Sequence, residues 1–187
     1  MTKSLVSERD TAPAAVREVQ PFAFLEAARL PLRAGPPDVF GQAWLAEQVS
    51  PSIPQLVRSL VDYTIERQNR RAIERGNAQP IQLSVLNRRR RAARTWLLAI
   101  LDGKVDAATR HAVATQWLPV LCGIGPDFAA IVQPGRQLIE FLRGAVTACI
   151  FGEPAANLLP HSRALHLLES TLSAHLAALQ QIARVTS

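Results

Sequence analysis

The sequence predicts an all-α protein, a single helical domain of about seven helices. Three observations predict this fold class. Apolar residues recur at steps of three and four in several segments, as they do on one face of a helix. No segment alternates apolar and polar residues between turn dipeptides, as a half-buried strand would. The 187 residues show no internal repeat and no second composition regime, which favours one domain.

The N-terminal part is the least patterned. Residues 1–20 are polar with interspersed Pro and Ala, so we expect a mobile tail there and a single domain over residues 21–187. The segment "PFAFLEAARL" is typical of a short helix, and "LRAGPPD" is a strong breaker. Asp38 is then placed to cap a helix through "VFGQAWLAEQV".

The next segment, "SPSIPQLVRSLVDYTIERQNRRAIERG", predicts a long helix. Ser50 is placed to cap it, with Pro51 at the first helical position. The helix should continue past its apolar stripe as a charged arm to Gly76. The stripe consists of Ile53, Leu56, Val57, Leu60, Val61, Thr64 and Ile65.

Two further helices should follow the loop "NAQPIQLS". The segment "VLNRRRRAARTWLLAILDG" reads as a helix closed by Gly103. The segment "KVDAATRHAVATQWL" reads as another, ending before Pro119. The predicted core face of the first helix comprises Val85, Ala92, Ala93, Trp96, Leu97, Ile100 and Leu101.

The C-terminal third predicts the most apolar helices. Asp127 is placed to cap "FAAIVQ", Pro134-Gly135 should break or kink it, and "RQLIEFLRGAVTACIF" should resume as a largely buried helix. The last helix is "HSRALHLLESTLSAHLAALQQIARV". A heptad-like seam on it predicts a homodimer interface, with burial against a neighbouring helix of the same chain as the alternative. The seam consists of Leu165, Leu168, Leu172, His175, Leu179 and Ile182.

Most of the formal charge of +6 comes from arginines between Glu66 and Arg94. A phosphate-binding patch and a basic surface for an acidic protein partner are both compatible with this cluster. Four consecutive helical residues cover about 300° of rotation, so Arg88 to Arg91 cannot all face one groove. The predicted basic interaction surface consists of Arg67, Arg70, Arg71, Arg88, Arg89 and Arg91.

No motif commits the chain to a reaction. A nucleophile elbow, a phosphate loop and paired metal-binding helices are all missing from the sequence, so we expect no enzyme, no metal and no cofactor. His166 and Glu169 share a helix face but have no second such pair. Cys122 and Cys149 lie among apolar residues and are expected to be buried thiols.

From Arg88 to Phe151 the sequence resembles the sensory globins at the front of bacterial signalling proteins. "RRAARTWLLAILDGKVDAA" is similar to their basic-then-Trp helix followed by a G-x-x-D corner. "LCGIGPDF" is similar to their His-x-x-Ile-Gly stretch, in which the His ligates haem iron. Leu121 occupies that position, while Ile124, Gly125 and Phe128 match. The resemblance therefore implies a globin-like domain without haem, as in the N-terminal domains of stressosome proteins.

The resemblance also implies a small apolar pocket where a globin holds its cofactor. The function predicted best is a non-enzymatic cytoplasmic regulatory or sensor-like domain that acts through protein–protein interaction. The alternatives are a nucleic-acid-binding regulator and a carrier of haem or another apolar ligand. No apolar run is long enough to predict a membrane span. The small apolar pocket that the resemblance implies would be lined by Trp96, Trp117, Leu121, Cys122 and Phe128.

Overall fold

The computed structural model describes residues 39–77, 80–125, 128–151 and 158–186, and every regular element in these ranges is helical. The all-α prediction is confirmed for this part of the chain. The predicted tail, the segment "PFAFLEAARL" and the capping residues Asp38 and Asp127 lie outside the described residues. The number of about seven helices refers to the whole chain and stays a prediction.

The helices follow the chain with short connections. A 3₁₀ turn joins the first two, and a π-helical segment joins the fourth to the fifth. None of the helices in the described ranges is long and apolar enough to cross a membrane. The elements are α1 (Val39–Val49), the 3₁₀ turn (Ser50–Ser52), α2 (Ile53–Glu74), α3 (Leu83–Leu101), α4 (Ala107–Ala112), the π segment (Val113–Trp117), α5 (Leu118–Cys122), α6 (Phe128–Phe151) and α7 (Leu158–Thr186).

The start of α2 differs from the prediction by one short turn. Ser50 does not cap the α-helix, because it begins the 3₁₀ turn that also contains Pro51. The α-helix begins at Ile53, with Pro54 in its first turn. A proline costs little there, since the first N–H groups of a helix have no intrahelical partner.

Two helical paths continue through prolines, of which Pro119 was expected to end its helix and Pro134 to break or kink its helix. The path from Ala107 runs through the π segment and past Pro119 to Cys122. A proline lacks the N–H and crowds the carbonyl four residues earlier, and the wider π segment lies at that place. Helix α6 runs unbroken with Pro134 inside it, since the packing of its long apolar face offsets one lost hydrogen bond.

The core is formed by buried side chains of α1, α2, α3, α6 and α7, with α2 packed against α3 and α1 against α7. Helices α6 and α7 pack together most extensively. Their close approach depends on Gly135, because a Cβ at that position would lie 2.4 Å from a methyl carbon of Leu179. The fully buried side chains of α3 include the predicted Ala93, Trp96, Leu97 and Ile100.

The turn after α3 forms as predicted at Gly103. This glycine has a φ of +58°, and the N–H of Lys104 donates to the carbonyl of Ala99 at 2.9 Å. A left-handed glycine with this hydrogen bond is the usual way to close a helix. Asp106 then caps α4 by accepting from the N–H of Thr109 at 2.9 Å. The turn thereby brings the Lys104 carbonyl next to α7, where His175 contacts it.

Candidate ligand-binding site

The basic cluster divides between the surface and the interior. Arg89 is only 1% exposed, whereas its neighbours on α3 point to solvent. Successive helical residues rotate by 100°, and Arg89 shares its face of α3 with the buried Ala92, Ala93 and Trp96. The prediction that Arg89 belongs to a basic surface is therefore wrong. The other five predicted members are exposed or half-buried: Arg67, Arg70, Arg71, Arg88 and Arg91.

The guanidinium group of Arg89 is incompletely paired. Its Nη2 donates to the amide oxygen of Gln68 on α2. Its Nε and Nη1 are buried and have no hydrogen-bond partner among the described residues, and no carboxylate in these ranges forms an ion pair with it. Burial lowers the pKa of Arg89 from its usual value, with Arg88 acting in the same direction. Arginine nevertheless stays protonated in proteins, so the interior holds an uncompensated positive charge.

A cavity of about 820 Å³ lies between α2, the corner after α5, and α6. Its volume is in the range of pockets that bind small molecules. Side chains of Arg67, Arg71 and Arg75 give it a basic wall, and no acidic side chain of the described residues lines it. The remaining lining residues are Tyr63, Thr64, Gln68, Ala72, Asn77, Cys122, Gly123, Ile124, Ala130, Gln133, Pro134 and Leu138.

A smaller cavity of about 490 Å³ adjoins the larger one. The two share Gln68, Gly123 and Ile124 as lining residues. Arg88 and Arg89 line only the smaller cavity, together with Thr115 and Gln116 among others. The α2–α3 hairpin therefore presents arginines to both spaces, from α2 on one side and from α3 on the other.

Gly123 makes the boundary between these cavities narrow. Its φ of +63° closes α5, and this left-handed conformation favours glycine. A Cβ there would lie 2.3 Å from Nη2 of Arg89 and 2.8 Å from Oε1 of Gln68. The corner "LCGIG" thus allows the backbone to approach the buried guanidinium group directly.

Helix α2 supplies the cavity wall by continuing its core stripe with polar residues. The buried Leu60 and Thr64 are followed at steps of three and four by Gln68, Arg71 and Arg75. This part of α2 was expected to be a charged arm, and neither Gln68 nor Arg75 was predicted to be a site residue. The same spacing, extended beyond the last apolar residue, was the signal that could have found them.

Tyr63 holds one arginine of the wall in place. Its ring stacks on Phe141 of α6, with ring centroids 4.3 Å apart. Its hydroxyl accepts from Nη1 of Arg67 at 2.8 Å, and the guanidinium carbon lies 5.5 Å from the ring centroid. Arg67 is thus partly satisfied within the protein. Arg71 and Arg75 form no ion pair with a described residue.

Cys122 lies on the cavity wall as a neutral thiol. Burial raises the pKa of Cys122 to about 12, although the positive charges of Arg71, Arg89 and Arg67 oppose this shift. A nucleophilic cysteine needs a lowered pKa, so this thiol is not activated. Cys122 therefore contributes a weakly polar surface rather than a reactive group.

The predicted apolar pocket is formed only in part. Cys122 lines the larger cavity, but Trp96 and Leu121 are fully buried in the core. Trp117 and Phe128 are half-buried and pack against that core without lining either cavity. The prediction was wrong because a sequence cannot show whether a buried aromatic side chain faces a space or a packed neighbour.

The predicted dimer seam lies inside the chain's own core. Helix α7 packs on α6 and α1, which cover the apolar face. The spacing of a seam is the same whether its partner belongs to the same chain or to a second copy. The intramolecular alternative is therefore correct for these residues. Leu168, Leu172, His175, Leu179 and Ile182 are buried, and Leu165 is half-buried.

His175 forms part of a hydrogen-bonded chain between α3, α7 and the turn after α3. Nε1 of Trp96 donates to its Nδ1 at 3.2 Å, and its Nε2 lies 3.0 Å from the carbonyl oxygen of Lys104. An indole N–H can only donate, so the imidazole proton is on Nε2 and points to this carbonyl. Burial lowers the pKa of His175 to about 4. His175, which was expected at a dimer interface, is thus a neutral core residue.

Within the described ranges, no group of three or more His, Cys, Asp and Glu side chains is placed to hold a metal ion. Comparison of the chain with family models, curated proteins and solved structures finds no match.

Proposed function

We propose that this protein is a non-enzymatic, cytoplasmic regulatory or sensor-like domain that binds a small ligand in the larger cavity. The observation that supports this proposal is the cavity of about 820 Å³, which is lined by residues of α2, of the corner after α5, and of α6. A ligand at the junction of three elements contacts all of them at once. Its binding can therefore favour one arrangement of these helices over another, which is the requirement for a sensor.

The output of such a sensor is proposed to be contact with an acidic protein partner. Arg70, Arg88 and Arg91 are exposed on the α2–α3 hairpin, the same hairpin whose inner residues line the cavities. Only Arg70 of these three forms an ion pair with a described residue, Glu66 at 3.0 Å. Exposed charges on one side of a domain steer association with a surface of the opposite sign.

A thermal-shift screen with small molecules of neutral, cationic and anionic classes tests the ligand proposal. A ligand that binds only the folded state raises the midpoint temperature of unfolding. Ala72→Phe fills part of the cavity and should abolish the shift, whereas Ala148→Phe, an exposed position on α6, should preserve it. If no class of compound shifts the midpoint of the wild-type protein, the proposal is wrong.

The globin-like fold and the absence of haem belong to this proposal as well. The position of the proximal ligand is occupied by Leu121, which has no iron-binding atom and is 0% exposed in the core. We expect the purified protein to be colourless and to develop no sharp Soret band when haem is added. A stoichiometric six-coordinate haem spectrum would instead establish the carrier alternative, with His111 or Cys122 as the candidate ligand.

The homodimer also stays a proposal, without the seam that suggested it. Because the seam on α7 is covered by α1 and α6, a dimer would use another surface. Sedimentation of the wild type at micromolar concentration decides the oligomeric state. A monomer under these conditions would end the homodimer proposal and leave the ligand proposal intact.

A nucleic-acid-binding regulator is the second candidate, favoured by one observation. Exposed arginines cluster where α2 ends and α3 begins, and those on α3 have no acidic partner among the described residues. Binding to duplex DNA and to single-stranded RNA should then weaken steeply between 50 and about 300 mM salt. The double variant Arg88→Glu, Arg91→Glu should remain folded, since exposed charges contribute little to stability. Wild-type binding without a salt dependence would rule this candidate out.

A further inference from the structure

We infer that the ligand is an organic anion whose phosphate or carboxylate group is bound by Arg88 and Arg89 in the smaller cavity, while its apolar body occupies the larger cavity. This inference rests on the proposed ligand-binding function and specifies its chemical class. The two cavities share Gln68, Gly123 and Ile124, so a ligand that spans them meets a charged end in the smaller cavity and a mixed lining in the larger one.

Arg89 is the first argument for an anion. A buried charge is costly unless it is paired and hydrogen-bonded. Arg89 is 1% exposed, and its guanidinium group forms one hydrogen bond, to the neutral amide of Gln68. Its two other nitrogen atoms are buried and have no hydrogen-bond partner among the described residues. A planar carboxylate or a phosphate matches the fork of guanidinium N–H groups. Such a ligand would supply the negative charge that no described residue provides for Arg89.

Gln68 provides the route to Arg89. Its side chain lies between the two cavities and accepts the Nη2 hydrogen of Arg89. A carboxylate or phosphate can accept two parallel hydrogen bonds from a guanidinium group and also carries the opposite charge, neither of which the single amide oxygen of Gln68 supplies. An entering anion can therefore displace the amide oxygen of Gln68 from Arg89.

The sign of the charge around the two cavities is the second argument. Five arginines line them: Arg67, Arg71 and Arg75 in the larger, and Arg88 and Arg89 in the smaller. No acidic side chain of the described residues lines either one. Charges of one sign in a concave, partly buried site attract ligands of the opposite sign and repel the others. A cationic ligand is thus disfavoured.

The apolar part of the ligand is inferred from the uncharged residues that line the larger cavity. Tyr63, Pro134 and Leu138 line the larger cavity beside the arginines, and Ile124 lines both cavities. A free inorganic ion would leave this surface uncovered. A nucleic-acid duplex cannot reach Arg89, which is inside the fold. A small molecule with an anionic head group and an apolar body satisfies both parts.

The test uses four probes that share a naphthalene ring and differ in their head group. They are 1-naphthyl phosphate, 1-naphthoate, 1-naphthol and 1-naphthylmethylamine. Binding to the full-length protein is measured by titration calorimetry and by the shift of the unfolding temperature. The phosphate and the carboxylate should bind at least about tenfold more tightly than the neutral and cationic probes, because these last two cannot form a hydrogen-bonded ion pair with an arginine. The tighter of the two anions identifies the head group.

Two matched variants test the role of Arg89. Arg89→Met should weaken binding of the better anion about tenfold or more, whereas Arg90→Met should leave it within about threefold. Arg90 is the adjacent, exposed residue of α3 and lines neither cavity, so it controls for the loss of one positive charge. If Arg89→Met does not fold, Arg88→Met replaces it, with the same expected direction, because Arg88 is exposed and also lines the smaller cavity.

The outcomes separate this inference from the proposed function. Equal binding of 1-naphthol and the two anions would overturn the anionic class but would still support a ligand-binding domain. Anion binding that Arg89→Met leaves unchanged would overturn the assignment of the head group to the smaller cavity. If the broader screen finds a cationic or neutral ligand whose binding is abolished by Ala72→Phe, the proposed function stands and the inference of an anionic ligand is wrong.

Discussion

Acidification should destabilise this protein through His175. At pH 7 the imidazole is neutral, because Nδ1 accepts from Trp96 and the ring is 0% exposed. Protonation of Nδ1 would place an N–H group against the indole N–H and a charge in the core. Burial lowers the pKa of His175 to about 4, whereas Arg110 and Asp106 act on it in opposite directions. The unfolded chain has no such restraint and takes up a proton near pH 6.5.

The magnitude follows from this difference in pKa. Above pH 6.5 the histidine is neutral in both states and does not alter the free energy of unfolding. Between pH 6.5 and about pH 4 only the unfolded state is protonated, so stability falls as the pH falls. With 1.36 kcal/mol for each pKa unit, the loss from His175 is about 2 kcal/mol by pH 5 and about 3 kcal/mol at lower pH. Below pH 4 its contribution becomes constant.

Urea denaturation of the wild type, His175→Asn and His166→Asn at pH 7.5, 6.5, 5.5 and 5.0 measures this loss. The variant at position 175 should be about 1–3 kcal/mol less stable at pH 7.5, because the Lys104 carbonyl loses its donor. It should also lose the acid-dependent part of the wild-type curve. His166 is exposed on the same helix, so its variant should follow the wild type. The same pH dependence in the wild type and His175→Asn would refute the reasoning.

Three further changes give separate tests. Gly144→Ala should raise the free energy of unfolding by about 0.5–1 kcal/mol, since nothing lies within 4 Å of the new Cβ. Gly135→Ala should lower it by roughly 1–2 kcal/mol, because the new Cβ would overlap Leu179 of α7. Equal urea midpoints for the pair would contradict this packing. Asp106→Ala should cost about 1 kcal/mol by removing the cap of α4, and an unchanged midpoint would show that the cap is not needed. In a Cys149→Ala background, Cys122 should react with iodoacetamide at pH 8 about 100-fold or more slowly than a free thiol, given its pKa of about 12. A rate within about tenfold of the free thiol would show that Cys122 is accessible and ionised.

The helices were predictable because their apolar spacing is a local property. Leu56, Leu60, Val61 and Thr64 of the predicted α2 stripe are buried, and Ile53, Val57 and Ile65 are half-buried against the core. The face from Ala92 to Ile100 is buried as the periodicity indicates. Prolines were less informative. Pro134 lies within α6 because a long buried face outweighs one lost hydrogen bond, and this balance depends on tertiary packing that the sequence does not display.

The candidate site was harder to predict because its parts are distant in the sequence. Helix geometry alone excluded a single groove for Arg88 to Arg91, but it could not select Arg89 as the inward residue without knowing which face of α3 is buried. The cavity itself combines residues from Tyr63 to Leu138. The prediction that the seam of α7 forms a dimer interface was wrong for a related reason, because apolar spacing specifies a buried face but not the chain that buries it.

The π segment Val113–Trp117 sets the angular phase between the two ends of this helical path. Its hydrogen bonds span one residue more than those of an α-helix, so it behaves like a one-residue insertion. Winding the same residues as a regular α-helix would rotate everything after them by about 100°. Leu118 and Leu121 would turn out of the core, and the corner at Gly123 would move away from Arg89. The π-helical winding of this segment therefore fixes where the backbone meets the buried guanidinium group.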